Sequence, residues 1–175
     1  MGFGMVSKMS VMPGTNVKFR GIFNYSEFMQ SIKNWFKDYD YEFQEPTHKW
    51  KVPSEGVEAE IKMTGERKVN EYVKYHITVS IRIWDMKDVE VVKDGQKMKL
   101  QDGKVSVDVE GKLEFDWQNR FGGNKFLQHA QDFLHKFIIK QDIGDWWEDD
   151  LLIKTMDLTK TIRHKLGHEA ISKDW

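Results

Sequence analysis

Histidines are the side chains of this sequence best suited to metal binding or proton transfer, and two of the six stand four residues apart. On a helix, His164 and His168 would share one face, with Glu169 beside them, which is the spacing of a zinc-binding pair. Gly167 interrupts that face, no third ligand can be named, and basic side chains are expected at the C-terminus of any helix. We therefore predict neither a metal site nor a catalytic role for this pair.

The other histidines give weaker patterns. His129 and His135 lie six residues apart, a spacing that does not place two side chains on one helix face. His48 and His76 fall in predicted strands, where they would meet only if the strand register brought them to the same face of a sheet. The sequence therefore identifies no catalytic residue.

An acidic cluster follows two tryptophans near the C-terminal third of the chain. Glu148, Asp149 and Asp150 could bind a hard cation, and Trp146 and Trp147 could stack on a sugar. The same three acids are expected in the first turn of a helix, where negative charge interacts favourably with the helix dipole. We favour this structural interpretation, with the two indoles packing the helix start against the core.

Basic and aromatic residues are interleaved in three segments, residues 33–37, 48–51 and 74–84. Such a mixture can stack the bases and neutralise the phosphates of single-stranded nucleic acid. An amphipathic helix or strand produces the same mixture without any ligand. If nucleic acid does bind, the candidate site is the polar face of the last segment, with Lys74, His76, Arg82 and Trp84.

Composition limits the classes of function. The 175 residues include 27 basic and 28 acidic side chains, a net charge of −1, so nucleic acid or anionic lipid would have to be bound by a local patch. The absence of cysteine excludes disulfides and thiol chemistry, and fits a cytoplasmic location. No apolar run approaches the ~20 residues of a membrane-spanning helix. No phosphate loop, nucleophile elbow or dinucleotide fingerprint is present, so we predict no cofactor and find no positive reason to regard the chain as an enzyme.

Apolar periodicity predicts a helix early in the chain. A short alternating strand, Val17–Phe23, is followed by Asn24 and Ser26, whose side chains are suited to capping a helix. From Glu27 to Tyr39, apolar residues then recur at the i, i+3, i+4 spacing of an amphipathic helix. We predict that this helix buries one face.

The centre of the chain changes to the two-residue period of β-strands. The alternation is clearest from Tyr72 to Trp84 and from Val105 to Trp117, with shorter runs between Tyr41 and Met63. Asp94-Gly95 and Asp102-Gly103 are typical of tight hairpin turns, because glycine tolerates positive φ. These signals predict a meander of sequential antiparallel strands.

Glycines mark the remaining features. Gly111 predicts a bend or bulge in the last strand, and the break at residues 122–124 precedes an apolar helical stripe from Phe126 to Ile138. Gly144 and Asp145 open a third helix, whose acidic first turn and basic last turn match the helix dipole. Its predicted buried edge consists of Leu151, Leu158, Ile162 and Leu166.

Together, these elements predict one α+β domain. Its architecture is a curved antiparallel β-meander of about six to seven strands, with one N-terminal helix and two C-terminal helices packed on it. No repeat or Pro-rich linker divides the chain. We expect a flexible leader at residues 1–15, a single domain at residues 16–168 and a tail at residues 169–175.

The order of strand, helix, meander and C-terminal helices from Val17 to Leu166 resembles the helix-grip arrangement of the START and Bet v 1-like (SRPBCC) superfamily. The resemblance implies a curved sheet wrapped around a long helix, with a hydrophobic small molecule or lipid held between them. Two departures are visible: one helix rather than two follows the first strand, and an extra helix follows Gly144. The residues expected to line such a pocket are Ile77, Val79, Ile81, Phe115, Phe133 and Phe137.

A second resemblance concerns three short stretches, Asn70–His76, Lys93–Gly95 and Phe115–Trp117. They are similar to stretches of uncharacterised small archaeal proteins, and the likeness extends over most of the chain. It transfers no activity.

Three functions from different classes therefore stay open. The first is a non-catalytic protein that binds a hydrophobic small molecule or lipid between sheet and helix. The second is an assembly module that pairs with itself or another protein through a free sheet edge and exposed aromatics such as Trp146, Trp147 or Trp175. The third is single-stranded nucleic-acid binding, whose affinity would fall steeply with salt.

Overall fold

The computed structural model describes residues 9–54, 56–118 and 143–167, together with position 129. The class is α+β, as predicted. Apart from position 129, the helix predicted from Phe126 to Ile138 lies outside the described residues. In chain order, the described elements are β1 (Met9–Val11), β2 (Thr15–Phe23), α1 (Tyr25–Asp38), β3 (Glu42–Lys51), β4 (Val57–Lys68), β5 (Val73–Lys93), β6 (Gln96–Phe115) and α2 (Ile143–Lys165).

All six described strands belong to one antiparallel sheet. β3, β4, β5 and β6 pair in sequence order, which is the predicted meander. β1 and β2 share the other edge of β6, β1 pairing near its C-terminal end and β2 with Gln101–Val109. The described sheet therefore has five strand positions, fewer than the six to seven predicted. It begins at Met9, within the segment predicted to be a leader.

The number of strand positions is lower than predicted because β5 and β6 are long, at 21 and 20 residues. The predicted Asp94-Gly95 turn joins them and is confirmed, with φ of 50° and 76° at its two residues. The predicted turn at Asp102-Gly103 is wrong, because β6 continues through both residues. A Cβ at Gly103 would lie 3.2 Å from backbone atoms of Trp84 and Met86, so this glycine permits close approach of the neighbouring strand.

The runs predicted between Tyr41 and Val52 also form one strand, β3. An irregularity between Gln44 and Thr47 interrupts its pairing with β4, at the position of Pro46. Proline lacks a backbone N–H, so it is tolerated at an edge strand or a bulge. Among the described strands, β3 lies at the end of the sheet order and pairs with β4 alone.

Helix α1 begins as the capping signal predicts. Asn24 is the N-cap residue, and its side-chain oxygen accepts a hydrogen bond from the backbone N–H of Glu27 at 3.1 Å. The helix ends near Asp40, which has a positive φ of 57°. Its apolar stripe is buried in the core: Phe28, Met29, Ile32, Trp35 and Phe36.

Helix α2 packs against α1 through apolar and polar contacts. The predicted buried edge is confirmed, since its four leucine and isoleucine side chains are at most 1% exposed. Asp157 of α2 accepts hydrogen bonds from the indole Nε1 of Trp35 at 2.8 Å and from the hydroxyl of Tyr39 at 3.0 Å. A single carboxylate therefore ties the two helices together, and its hydrogen bond raises the pKa of Tyr39.

Two glycines in one cross-strand row let the helices approach the sheet. Gly65 of β4 and Gly111 of β6 flank Ile77 of β5 in the register. A Cβ at Gly65 would collide with the ring of Phe36, and one at Gly111 would lie 3.0 Å from Thr155 Cγ2. The bulge predicted at Gly111 is therefore wrong: the pairing there is regular, and the glycine makes room for α2.

Candidate functional site

Polar side chains cover the face of the sheet that is turned away from α1 and α2, which we call the outer face. Alternation along β5 buries every second side chain on the opposite, inner face and leaves the others outward. All four residues predicted for a nucleic-acid site project from the outer face of β5: Lys74, His76, Arg82 and Trp84.

The structure places these four residues at two separate ends of the outer face. Lys74 and Arg82 are eight residues apart on one strand, roughly 26 Å at the ~3.3 Å rise of a β-strand. The network end consists of Glu66, Lys74, His76 and Glu114. The Trp84 end consists of Trp84 and the charged side chains around it: Lys18, Arg20, Lys49, Lys51, Glu58, Glu60, Arg82, Asp85 and Lys104.

At the network end, His76 is held between two carboxylates. Its Nε2 lies 2.6 Å from Glu114 Oε2, and its Nδ1 lies 3.4 Å from Glu66 Oε1. Lys74 forms an ion pair with the same Glu66 across the β4–β5 pairing. The hydrogen bond from Lys74 lowers the pKa of Glu66, and His76 adds to the effect. The imidazole of His76, the ammonium group of Lys74 and the two carboxylates are thus hydrogen-bonded or ion-paired with one another.

Beside this network, the indole ring of Trp117 lies close to two lysines. Trp117 donates a hydrogen bond from Nε1 to the backbone oxygen of Asn70 at 3.0 Å. The ammonium groups of Lys68 and Lys74 lie 5.2 Å and 6.0 Å from the centre of its ring, within the range of cation–π attraction. The charged groups at this end are therefore largely engaged with other protein groups.

At the other end, Trp84 stands between two depressions, and 37% of its surface is exposed. The depression on the β4 side has a volume of about 270 Å³ and is lined by Trp84 with Lys49, Lys51, Glu58, Ala59, Glu60, Arg82 and Ile83. The depression on the β6 side has a volume of about 230 Å³ and is lined by Trp84 with Lys18, Lys104, Val105 and Ser106. The indole forms a wall of both.

A β-bulge directly after Trp84 separates it from the hairpin that follows. Trp84 pairs with Lys104 and Lys87 with Asp102, so β5 has one residue more than β6 between these pairs. Asp85, with a positive φ of 54°, lies in this extra stretch. The additional residue reverses the alternation of β5. The apolar pairs of the hairpin consequently share the outer face with Trp84: Val89 with Leu100, and Val91 with Met98.

Cations outnumber carboxylates at the Trp84 end. Four strands contribute cations: Lys18 and Arg20 from β2, Lys49 and Lys51 from β3, Arg82 from β5 and Lys104 from β6. Arg82 Nε lies 4.0 Å from Glu60 Oε1, a long and exposed ion pair. Lys104 Nζ lies 2.8 Å from Asp85, and this hydrogen bond lowers the pKa of Asp85. In the described part of the chain, Arg20, Lys49 and Lys51 have no ion pair.

The sequence predicts Arg82 and Trp84 for this site and marks the segment 48–51, which contains Lys49 and Lys51, but it gives no indication that Lys18 and Lys104 belong to the site. Three lysines occupy polar positions in strands of alternating pattern, which the sequence alone reveals: Lys18, Lys49 and Lys104. Their convergence depends on strand register, however, and register cannot be read from one sequence.

The predicted hydrophobic pocket falls partly outside the described residues. Ile77, Val79 and Ile81 are at most 1% exposed on the inner face, and Phe115 is 5% exposed. Phe133 and Phe137, the residues expected on the covering helix, are not among the described residues. The pocket therefore stays a prediction.

Two tyrosines form a buried polar cluster that apolar periodicity did not reveal. Tyr75 donates a hydrogen bond to Asp150 Oδ2 at 2.9 Å, so this acid of the predicted first turn links β5 to α2. Burial raises the pKa of both Tyr75 and Tyr41. The hydroxyl of Tyr41 is buried and has no hydrogen-bond partner among the described residues. Asp150 thus has a structural role.

The remaining candidates do not converge on a site. His48 pairs with Ile61 of the inner face and stacks on Trp50, whereas His76 lies on the outer face, so these two histidines do not form a pair. His164 and His129 are exposed, and their proposed partners His168 and His135 lie outside the described residues, as does Trp175. Trp146 is 61% exposed, while Trp147 packs against the core.

Among the described residues, no group of three or more histidine and carboxylate side chains is arranged to hold a metal ion. Neither described helix combines the length and apolar character needed to cross a membrane.

Comparison with known proteins gives no family assignment. No protein-family model matches the chain, and no curated protein matches it significantly. A function must therefore be inferred from the geometry of the site.

Proposed function

We propose that the Trp84 end binds single-stranded nucleic acid. The observation that carries this proposal is an exposed indole on an open sheet, with a depression on each side and cations from four strands around it. Proteins that bind single strands combine a stacking platform of this kind with a positively charged surface that follows the phosphates.

The indole of Trp84 supplies the stacking surface. A base stacked on an aromatic side chain contributes roughly 1–3 kcal/mol to binding, whatever its identity. Because the depressions lie on both sides of the ring, each can receive one base.

The cations follow a line that crosses the strands. Three of them share one cross-strand row, in which cations stand at both ends and in the middle and one carboxylate stands between Arg82 and Lys49: Lys18, Ser106, Arg82, Glu60 and Lys49. Four strand spacings separate its ends, roughly 19 Å at ~4.8 Å per spacing. A single strand that runs along this row would meet a cation before, beside and after Trp84.

The charge of the whole chain supports local contact rather than long-range attraction. With a net charge of −1, the protein offers no extended positive field. Binding would therefore depend on the phosphates that directly face the lysines and arginines of the site. Each such contact releases counterions from the nucleic acid, so the affinity should fall as salt rises.

The two other functions stay predictions. The curved helix-grip arrangement with a hydrophobic ligand depends on residues outside the described ranges, including Phe133 and Phe137. An assembly module has two surfaces available, the edge strand β3 and the exposed Trp146. The Trp84 end is the stronger candidate because it joins exposed aromatic surface and complementary charge at one place.

The proposal is tested by fluorescence anisotropy of the full chain with a labelled twelve-residue oligothymidylate, a single strand without base pairing. We expect binding that weakens steeply between low and moderate salt. Trp84→Ala should weaken it about tenfold or more, the loss of one to two stacked bases.

The matched control is Trp146→Ala, since Trp146 is an exposed tryptophan on α2, away from the outer face. This variant should bind as the unchanged protein does. Absence of binding at low salt, or equal losses from the two substitutions, would overturn the proposal.

A further inference from the structure

The two depressions beside Trp84 differ chemically, and this difference bears on which bases they accept. The β6-side depression is walled mainly by apolar carbon from Trp84, Val105 and the stems of two lysines. The β4-side depression has a charged lining, with the carboxylates Glu58 and Glu60 beside the cations Arg82, Lys49 and Lys51. We infer that the β4-side depression selects guanine, an inference that rests on the proposed function.

Bare phosphate matches only part of the lining of the β4-side depression. Its three cations, Lys49, Lys51 and Arg82, would attract an anion, whereas its two carboxylates, Glu58 and Glu60, would repel one. A planar group with N–H donors fits better, because it can stack on Trp84 and donate to a carboxylate. The volume of about 270 Å³ is just below the ~300–1,000 Å³ of sites for drug-sized ligands, as suits a single base.

Guanine is the base whose edge matches these groups. Its N1–H and 2-amino group are neighbouring donors, which a carboxylate can accept together through its two oxygens. Its O6 and N7 are acceptors that suit an arginine. Glu60 and Arg82 are direct cross-strand partners, so a carboxylate and a guanidinium stand side by side next to the indole.

The ion pair between Glu60 and Arg82 does not prevent this use. Its closest N···O distance is 4.0 Å, and both side chains are more than half exposed. Exposed pairs of this kind contribute little stability. Both side chains can therefore hydrogen-bond to a base with little loss of stability.

The other bases match less well. Uracil and thymine place carbonyl oxygens on both sides of one N–H, so a carboxylate would face at least one acceptor. Adenine and cytosine each offer one amino group and no neighbouring ring N–H in their neutral forms. The expected order is therefore guanine first, adenine and cytosine next, and uracil or thymine last.

The test compares full-chain binding of twelve-residue oligothymidylate with the same strand carrying one central guanine. We expect about tenfold tighter binding of the guanine strand, the discrimination of one good bidentate contact. Replacing guanine by hypoxanthine removes only the 2-amino group and should abolish most of the gain.

Glu60→Gln is the matched protein variant, because it keeps the side-chain size and replaces one acceptor oxygen by a donor. It should remove the guanine preference, measured as the ratio of the affinities for the two strands. Equal affinity for the two strands, or a preference that survives both hypoxanthine and Glu60→Gln, overturns the selectivity alone. Failure of every strand to bind overturns the proposed function as well.

Discussion

The network end and the Trp84 end of the outer face contain similar kinds of side chain in different surroundings. Each has an indole ring, lysines and glutamates on neighbouring strands. At the network end, Glu66 is shared by Lys74 and His76, and Trp117 faces two ammonium groups. At the Trp84 end, the closest ion pair of Arg82 is long, and the indole borders two open depressions.

The comparison shows that charge composition does not determine which cations are available to a ligand. Neither does register alone, because Lys49 and Lys51 lie opposite Glu60 and Glu58 of β4. Lys74 forms an ion pair with Glu66 on the adjacent strand, whereas Lys49 and Lys51 have no ion pair in the described part of the chain. The network end is thus suited to stability and the Trp84 end to binding.

The largest expected effect on stability comes from the inner face of the sheet, where a glycine lies behind each end. Gly65 lies on the inner face, where an added Cβ would collide with the fully buried ring of Phe36. Gly65→Ala must displace that ring and should lower the free energy of unfolding by about 3 kcal/mol, the upper part of the usual cost of overpacking. Urea denaturation followed by circular dichroism measures this loss.

Gly103→Ala is the matched substitution behind the Trp84 end. Its Cβ would lie 3.2 Å from backbone atoms of β5, a tight contact that small shifts can relieve. Its cost should therefore be in the lower part of the same range, about 1 kcal/mol. Equal losses from the two glycine substitutions would contradict the view that the network end is the more firmly supported.

The second prediction removes the centre of the network. His76→Ala leaves Glu66 and Glu114 without the imidazole between them, and both lose a hydrogen-bonding partner. Hydrogen bonds to charged groups contribute roughly 1.5–3 kcal/mol, so we expect the free energy of unfolding to fall by about 2 kcal/mol. Thr78→Val, a substitution of similar shape on the same strand face, is the control. A loss no larger than that of the control would show that the network is not stabilising.

Much of the fold follows from local pattern. The capping side chain of Asn24, the alternation of β5 and the buried leucines of α2 are each properties of a few consecutive residues. Local chemistry also located the Asp94-Gly95 turn, because both residues tolerate the positive φ that a tight hairpin requires.

The errors occurred where a glycine serves a neighbour that is distant in sequence. The local pattern predicts a turn at Gly103 and a bend or bulge at Gly111, yet each glycine makes room for another element, β5 in one case and α2 in the other. The cluster around Trp84 was incomplete for the same reason. Lys18 and Lys49 reach one row only through pairings across five strand positions.

The third prediction uses pH to isolate one contact of the network. The pKa of Glu66 lies below its ordinary value of 4.5, mainly because Lys74 donates a hydrogen bond to it. A carboxyl with a lowered pKa stabilises the folded state above its ordinary pKa, and this contribution disappears as pH falls through the lowered value. Lys74→Met should therefore cost about 0.5 kcal/mol at neutral pH, typical of a partly exposed pair.

Urea denaturation at several pH values measures this effect. The difference between Lys74→Met and the unchanged protein should shrink as pH falls below 4.5, the ordinary pKa of Glu66, and disappear once Glu66 is protonated in both. Lys160→Met, on an exposed position of α2, should show no such trend. A difference that stays constant down to low pH would mean that lost packing, rather than the ion pair, is responsible.

The smallest expected effect on stability belongs to the Trp84 end. Lys49 and Lys51 are exposed on the edge strand β3 and have no ion pair in the described part of the chain. Replacing both by glutamine should change the free energy of unfolding by less than about 0.5 kcal/mol. If each lysine contacts one phosphate of a single strand, the slope of log affinity against log salt should become shallower by about 1.4. An unchanged slope would show that these lysines do not contact the phosphates. A large loss of stability would show that the Trp84 end, like the network end, stabilises the fold.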